Sequence, residues 1–159
     1  MIFKGFGLCT NAVHSYEWGY KYGPPMAVAP LEQVRRVVEY VLTEIPAEKI
    51  SLGLPNYGYD WPLPFTKNVT VARTIGNVEA VEIAKREKTN ILFDWESKSP
   101  WFRYTDDGSV IHEVWFEDVR SWKYKLDLLR EYGLTGVGIW QLMQLFRAGM
   151  NLIGDEFRH

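Results

Sequence analysis

An amphipathic segment that runs directly into an apolar one, and does so twice, most constrains how this chain can fold. Leu31, Val34, Val37, Val38, Val41, Leu42 and Ile45 recur at three- and four-residue spacing, with Glu32, Arg35, Arg36 and Glu39 on the other side. That spacing predicts a helix over 31–45 with one buried face. Pro30 stands before it and Pro46 ends it, and the run Ile50 to Leu54 then predicts a strand. The step repeats near the end. Val119, Trp122, Leu126 and Leu129 line a helix over 119–132, Tyr132-Gly133 closes it, and a strand over 135–140 follows. A further strand is predicted over roughly 8–16, ahead of the first helix. Helices that alternate with strands in this order specify a parallel sheet.

Three segments put aromatic residues, with acids beside them in the first two, where these strands end: His14-Ser15-Tyr16-Glu17-Trp18-Gly19-Tyr20, Lys49-Ile50-Ser51-Leu52-Gly53-Leu54-Pro55-Asn56-Tyr57-Gly58-Tyr59-Asp60-Trp61 and Gly136-Val137-Gly138-Ile139-Trp140-Gln141-Leu142. In a (β/α) architecture the strand C-termini converge on one cleft. Rings such as Tyr16, Trp18, Tyr57 and Trp140 suit a ligand with apolar faces and polar edges, as a sugar has. Between Trp61 and Glu117 the pattern changes. Asn77 can cap a helix through Val78, Val81, Ile83 and Ala84, and 90–95, 101–105 and 109–116 read as short strands with Asp106-Asp107-Gly108 as a hairpin turn.

The chain has 159 residues and a formal net charge of -2, against the roughly 250 residues of a complete barrel. No basic cluster interleaved with aromatics signals nucleic acid. The single cysteine, Cys9, has no internal partner, and His14, His112 and His159 are too far apart to form a metal-ligand motif, so no metal site and no cofactor are expected. The start, Met1 to Leu8, is too short and glycine-broken for a secretory core, and no apolar stretch reaches the ~18 residues of a membrane span. No signal peptide and no membrane partner are expected for the chain as written.

Tyr16-Glu17-Trp18-Gly19-Tyr20 with Gly23-Pro24-Pro25-Met26-Ala27-Val28-Ala29-Pro30, then Pro55-Asn56-Tyr57-Gly58-Tyr59-Asp60-Trp61, then Val114-Trp115-Phe116-Glu117-Asp118, resemble the C-terminal part of glycoside hydrolase family 18. Within it they are most similar to the spore-germination and cortex-lytic, chitinase-related branch acting on peptidoglycan. The resemblance implies an α/β fold: the C-terminal portion, about strands six to eight, of a TIM (β/α)8 barrel carrying a small α+β insertion. Residues 1–65 would then be partial barrel, 66–116 the insertion, and 117–159 the last helix-strand unit and tail. It also implies hydrolysis of N-acetylated glycans by substrate-assisted retention, in which the N-acetyl carbonyl attacks the anomeric carbon and one Glu protonates the leaving oxygen. The family's Asp-x-x-Asp-x-Asp-x-Glu acid signature occurs nowhere in these residues.

By the same resemblance, Tyr16 is the tyrosine that positions the N-acetyl group, Glu17 is a neighbouring supporting acid, and Trp140 floors the subsite of the distorted sugar. Tyr57, Tyr59 and Trp61 form the wall from strand seven, with Trp18 also on the substrate side. His14 stands where the family usually has an apolar residue. A spore or cell-wall location is implied for the full-length protein.

Plainer readings stand beside these. Tryptophan at the end of an apolar run favours core, and Glu17 can equally be solvated or paired. Trp95, Trp101, Phe102, Tyr104, Trp115 and Phe116 could form a sugar-contacting wall, but they alternate with polar residues as a half-buried sheet does, which favours core for most of them. Glu117 and Asp118 suit the N-terminus of the following helix. The chain is therefore expected to be either part of a glycosidase, inactive alone, or a non-catalytic carbohydrate-binding or interaction module. A fragment of this kind leaves a sheet edge that the missing N-terminal barrel half, or a second copy, would cover.

Overall fold

The computed structural model describes residues 20–140 and 143–158. The strand expected over 8–16, with Cys9, His14, Tyr16, Glu17 and Trp18, lies outside the described residues, as does His159.

Helix α1 (Leu31–Leu42) leads into β1 (Ser51–Pro55), and α3 (Val119–Glu131) leads into β7 (Gly136–Trp140). The two strands pair parallel, Ser51 with Gly136 through Pro55 with Trp140. Both αβ steps fall where periodicity placed them. The first helix stops three residues early, because Ile45 precedes Pro46 and residues in that position resist helical backbone; Thr43 Oγ1 donates to the Tyr40 carbonyl instead, at 2.7 Å. Val34 and Val38 of α1, Leu52 and Leu54 of β1, and Trp122, Leu126 and Leu129 of α3 form one core. Helix α4 (Arg147–Glu156), for which the sequence reading had no expectation, packs Leu152 and Ile153 against it.

The intervening segment forms a five-stranded antiparallel sheet, ordered β3 (Arg73–Gly76), β2 (Tyr57–Leu63), β6 (Ile111–Trp115), β5 (Ser99–Thr105), β4 (Leu92–Asp94). Helix α2 (Asn77–Arg86) covers one face, burying Ile75, Ala80, Ile83, Phe102, Val114 and Phe116. The hairpin expected at Asp106-Asp107-Gly108 is present, with Thr105 paired to Ile111. The left-handed residue in it is Ser109 (φ 62°) rather than Gly108. Asp106 stabilises that geometry: its carboxylate accepts from the Val110 amide at 2.8 Å and its carbonyl from the Ser109 amide at 3.0 Å.

The sheet begins at Tyr57, one residue past β1, so the chain passes from a parallel strand into the second strand of an antiparallel sheet almost without a break. Gly58 makes that passage possible. A Cβ there would stand 2.4 Å from the Trp115 carbonyl oxygen and 2.5 Å from Phe116 Cβ.

Candidate functional site

The C-terminal ends of β1 and β7 meet at Asn56. Its amide donates to the Trp140 carbonyl at 3.0 Å and its side-chain Nδ2 to the Gln144 carbonyl at 2.6 Å. From below, the buried Trp122 indole donates to the Pro55 carbonyl at 2.7 Å. These three hydrogen bonds tie the junction to β7, to the segment after it and to α3, which restrains where the flanking aromatic residues sit. Trp140 is 59% exposed, the most open of the expected site residues among those described. An indole held at a strand end with most of its surface open is not a core side chain among the described residues.

Tyr57 follows Asn56 and lies on one face of β2 with Tyr59 and Trp61. Tyr57 and Tyr59 meet edge to face, with centroids 5.5 Å apart, and Tyr59 and Trp61 meet at 5.3 Å. All three are buried beneath Val28, Ala72 and Phe65. The Trp61 indole nitrogen is buried and has no hydrogen-bond partner among the described residues. The structure thus brings Tyr57 and Trp140 to the two sides of Asn56 and carries Tyr59 and Trp61 progressively away along β2.

Two buried polar clusters brace this arrangement, and neither announces itself in sequence. Glu117 and Lys125 are both wholly buried, with Lys125 Nζ 2.8 and 3.1 Å from the Glu117 carboxylate, which also accepts from Ser121 Oγ at 2.6 Å. Burial pushes the Glu117 carboxyl above the ordinary carboxylate range, against the pull of Lys125 and Ser121. The Glu117 amide donates to Asn77 Oδ1 at 3.1 Å, joining the start of α2 to the start of α3. Of the two acids expected at this helix start, Asp118 is the cap, accepting from the Arg120 and Ser121 amides in a capping box. Glu117 is not a cap but one partner of an internal ion pair.

On the α2 face of the sheet, the buried Asp60 carboxylate sits 2.7 Å from His112 Nδ1 and accepts from the Tyr104 hydroxyl at 3.0 Å and from Arg73 at 3.3 Å. Burial first, and the adjacent Asp60 charge second, hold the Tyr104 hydroxyl well above its usual titration range. Hydrophobic alternation gives no hint of either cluster, because it registers charged residues as surface. Among the described residues, no three His, Cys, Asp or Glu side chains gather in a way that could hold a metal ion.

Comparison with known proteins gives this geometry a context. The sequence profile of the Glycosyl hydrolases family 18 matches residues 12–144. The cortical fragment-lytic enzyme of Bacillus subtilis (strain 168) is 46% identical over 143 residues, covering 90% of this chain and 33% of the relative. The crystal structure of the Bacillus cereus spore cortex-lytic enzyme SleL superposes with a TM-score of 0.85 at 37% identity, over 89% of this chain and 33% of that one. SleL of Bacillus megaterium QM B1551 superposes with a TM-score of 0.84 at 45% identity, over 87% of this chain and 32% of that one. The chain therefore spans about a third of the length of the relatives it matches, and over that span its α/β fold is theirs.

Proposed function

The chain belongs to glycosyl hydrolase family 18, and on that premise we propose that it is the C-terminal part of a glycosidase acting on N-acetylated glycans of the peptidoglycan or chitin type. The observation that carries this reading is the parallel β1–β7 pair, which ends at Asn56 between Tyr57 and an exposed Trp140. This is the geometry expected where the last two strands of a (β/α)8 barrel open onto their cleft. In this reading residues 1–65 and 117–159 supply about strands six to eight, and 66–116 supply the body of the insertion.

Trp140 floors the subsite by stacking on a pyranose face, and Tyr57 borders it. Tyr59 and Trp61, buried behind Tyr57, hold that wall in place. By the family resemblance, Tyr16 and Glu17 act on the N-acetyl group of the substrate, and Trp18 belongs to the same substrate side. Tyr16 would donate a hydrogen bond that orients the N-acetyl carbonyl for attack, and Glu17 would support the charge that develops on it. The proton donor has no counterpart in these 159 residues, which contain no Asp-x-x-Asp-x-Asp-x-Glu run. General-acid assistance of typically 10²–10⁴-fold is then missing from this chain alone. The remaining barrel strands are the partner it requires.

The test is a turnover assay on N-acetylglucosamine oligomers and cortex fragments, with and without the N-terminal two thirds of a relative's barrel supplied in trans. No turnover alone and measurable turnover on complementation is the expected result. Robust turnover by the chain alone that disappears in Glu17→Gln would overturn the supporting role given to Glu17.

A further inference from the structure

The face of the antiparallel sheet opposite α2 carries two half-buried tryptophans for which the barrel-end site has no use. The pairing register sets Leu92, Trp101, Trp115 and Tyr59 in one row across four strands. The Trp101 and Trp115 rings lie nearly parallel, at 15°, with centroids 5.5 Å apart. In the adjoining row Arg103 is paired with Glu113: its Nε and Nη2 donate to Glu113 Oε2 at 2.8 and 2.6 Å, while Glu113 Oε1 accepts from the Trp115 indole at 2.8 Å. The Glu113 carboxylate is thus fixed to the edge of the Trp115 ring, while the Arg103 guanidinium lies over the Trp101 ring, 5.8 Å from its centroid. Val28, Ala72 and Phe65 cover the Tyr59 end of the row, and Leu92 at the other end is 49% exposed.

We propose that Trp101 and Trp115, with Arg103, Glu113 and Leu92, form a second glycan platform that takes a pyranose of an N-acetylated chain outside the barrel-end cleft. The proposal rests on the carbohydrate reading above and extends it. Indole surface matches the C–H faces of a sugar ring, and an immobilised guanidinium–carboxylate pair packed against it offers donors and acceptors to hydroxyl and amide groups. Because Arg103 and Glu113 neutralise one another, the platform has no net charge to attract a polyanion, whereas a nucleic-acid surface needs uncompensated cations. The row also ends at Tyr59, whose buried ring meets Tyr57, so the platform is joined to the barrel-end site through a sealed aromatic cluster rather than an open surface.

The experiment titrates the 159-residue chain with the N-acetylglucosamine hexamer, reading affinity by calorimetry and each indole N–H by two-dimensional NMR. The hexamer is expected to shift the Trp101 and Trp115 signals. Trp101→Ala and Leu92→Asp are each expected to raise Kd about fivefold or more, the size expected for losing a stacked contact. Leu92→Asp leaves both indoles in place at an exposed position, so it answers the question even if Trp101→Ala fails to fold.

Unmoved Trp101 and Trp115 signals together with a Kd unchanged in Leu92→Asp overturn the platform, and loss of binding confined to Trp140→Ala would then leave the barrel-end site standing. Binding that is lost in Leu92→Asp but indifferent to Trp140→Ala keeps the platform and removes Trp140 from its assigned role. Absence of any hexamer binding overturns both. A dimer that Leu92→Asp dissociates, with no sugar-induced shifts, identifies a second copy as the occupant and also overturns the proposal.

Discussion

Lys125→Met is expected to destabilise the protein by about 3 kcal/mol near neutral pH and by much less in mild acid. The substitution keeps the shape of the buried stem but removes the ammonium that lies 2.8 Å from Glu117 in a site with no solvent exposure on either side chain. An unpaired carboxylate in such a site takes up a proton rather than remaining charged. Removing one partner of a buried pair costs about 3–5 kcal/mol, and the Ser121 hydroxyl that still donates to Glu117, at 2.6 Å in the parent, holds the loss to the lower end of that range.

The sign of the pH dependence follows from the direction of the shift. A carboxyl whose folded-state value is raised contributes fully below its unfolded value and loses that contribution as pH rises through the folded value. The parent shows this trend already, because burial raises Glu117 there too, but Lys125 mutes it. Urea unfolding followed by tryptophan fluorescence, at about pH 7 and about pH 4.5, measures the difference. Glu117→Leu combined with Lys125→Met is expected to return to within about 1 kcal/mol of the parent, since replacing both charges by apolar groups leaves none stranded. Ser121 Oγ would still donate to the Asp118 carbonyl at 2.9 Å. A Lys125→Met deficit below about 1 kcal/mol at neutral pH, or one equal at both pH values, would refute the reasoning.

Gly58→Ala is expected to cost more than about 2 kcal/mol, because its Cβ would press on the backbone of Trp115 and Phe116 rather than on a side chain able to move aside; a chemical-denaturation midpoint equal to the parent's would contradict this. Asp118→Ala removes the capping box of α3 and is expected to lower stability by about 1 kcal/mol, seen as a lower thermal midpoint by circular dichroism. Trp140→Ala is expected to weaken hexamer binding at the barrel-end site while changing the unfolding free energy by less than about 1 kcal/mol, since most of that indole is already in solvent; a large stability loss would show that Trp140 is core after all.

Sequence alone determined the two αβ steps, the hairpin and the Asp118 cap, because each is set by local chemistry. A buried helix face repeats at the helical period, an Asp-rich turn satisfies its own backbone, and an Asp before an apolar helix accepts the first free amides. Tertiary structure decided the rest. Tyr57–Leu63 is buried over its first five residues, so it shows no alternation, and its Gly, Asp and Pro read as loop signals although it is an interior strand. Glu117, Lys125 and Asp60 are internal because oppositely charged and hydrogen-bonding partners from distant segments surround them, which no single-segment pattern records. The aromatics of β5 and β6 show the division most plainly. Alternation separates Phe102 from Trp101, but which of the two is sealed depends on α2 covering one face of the sheet and only part of the other being covered. Strand period fixes which side chains share a face, and only the packing of remote segments fixes which face is left open to a ligand.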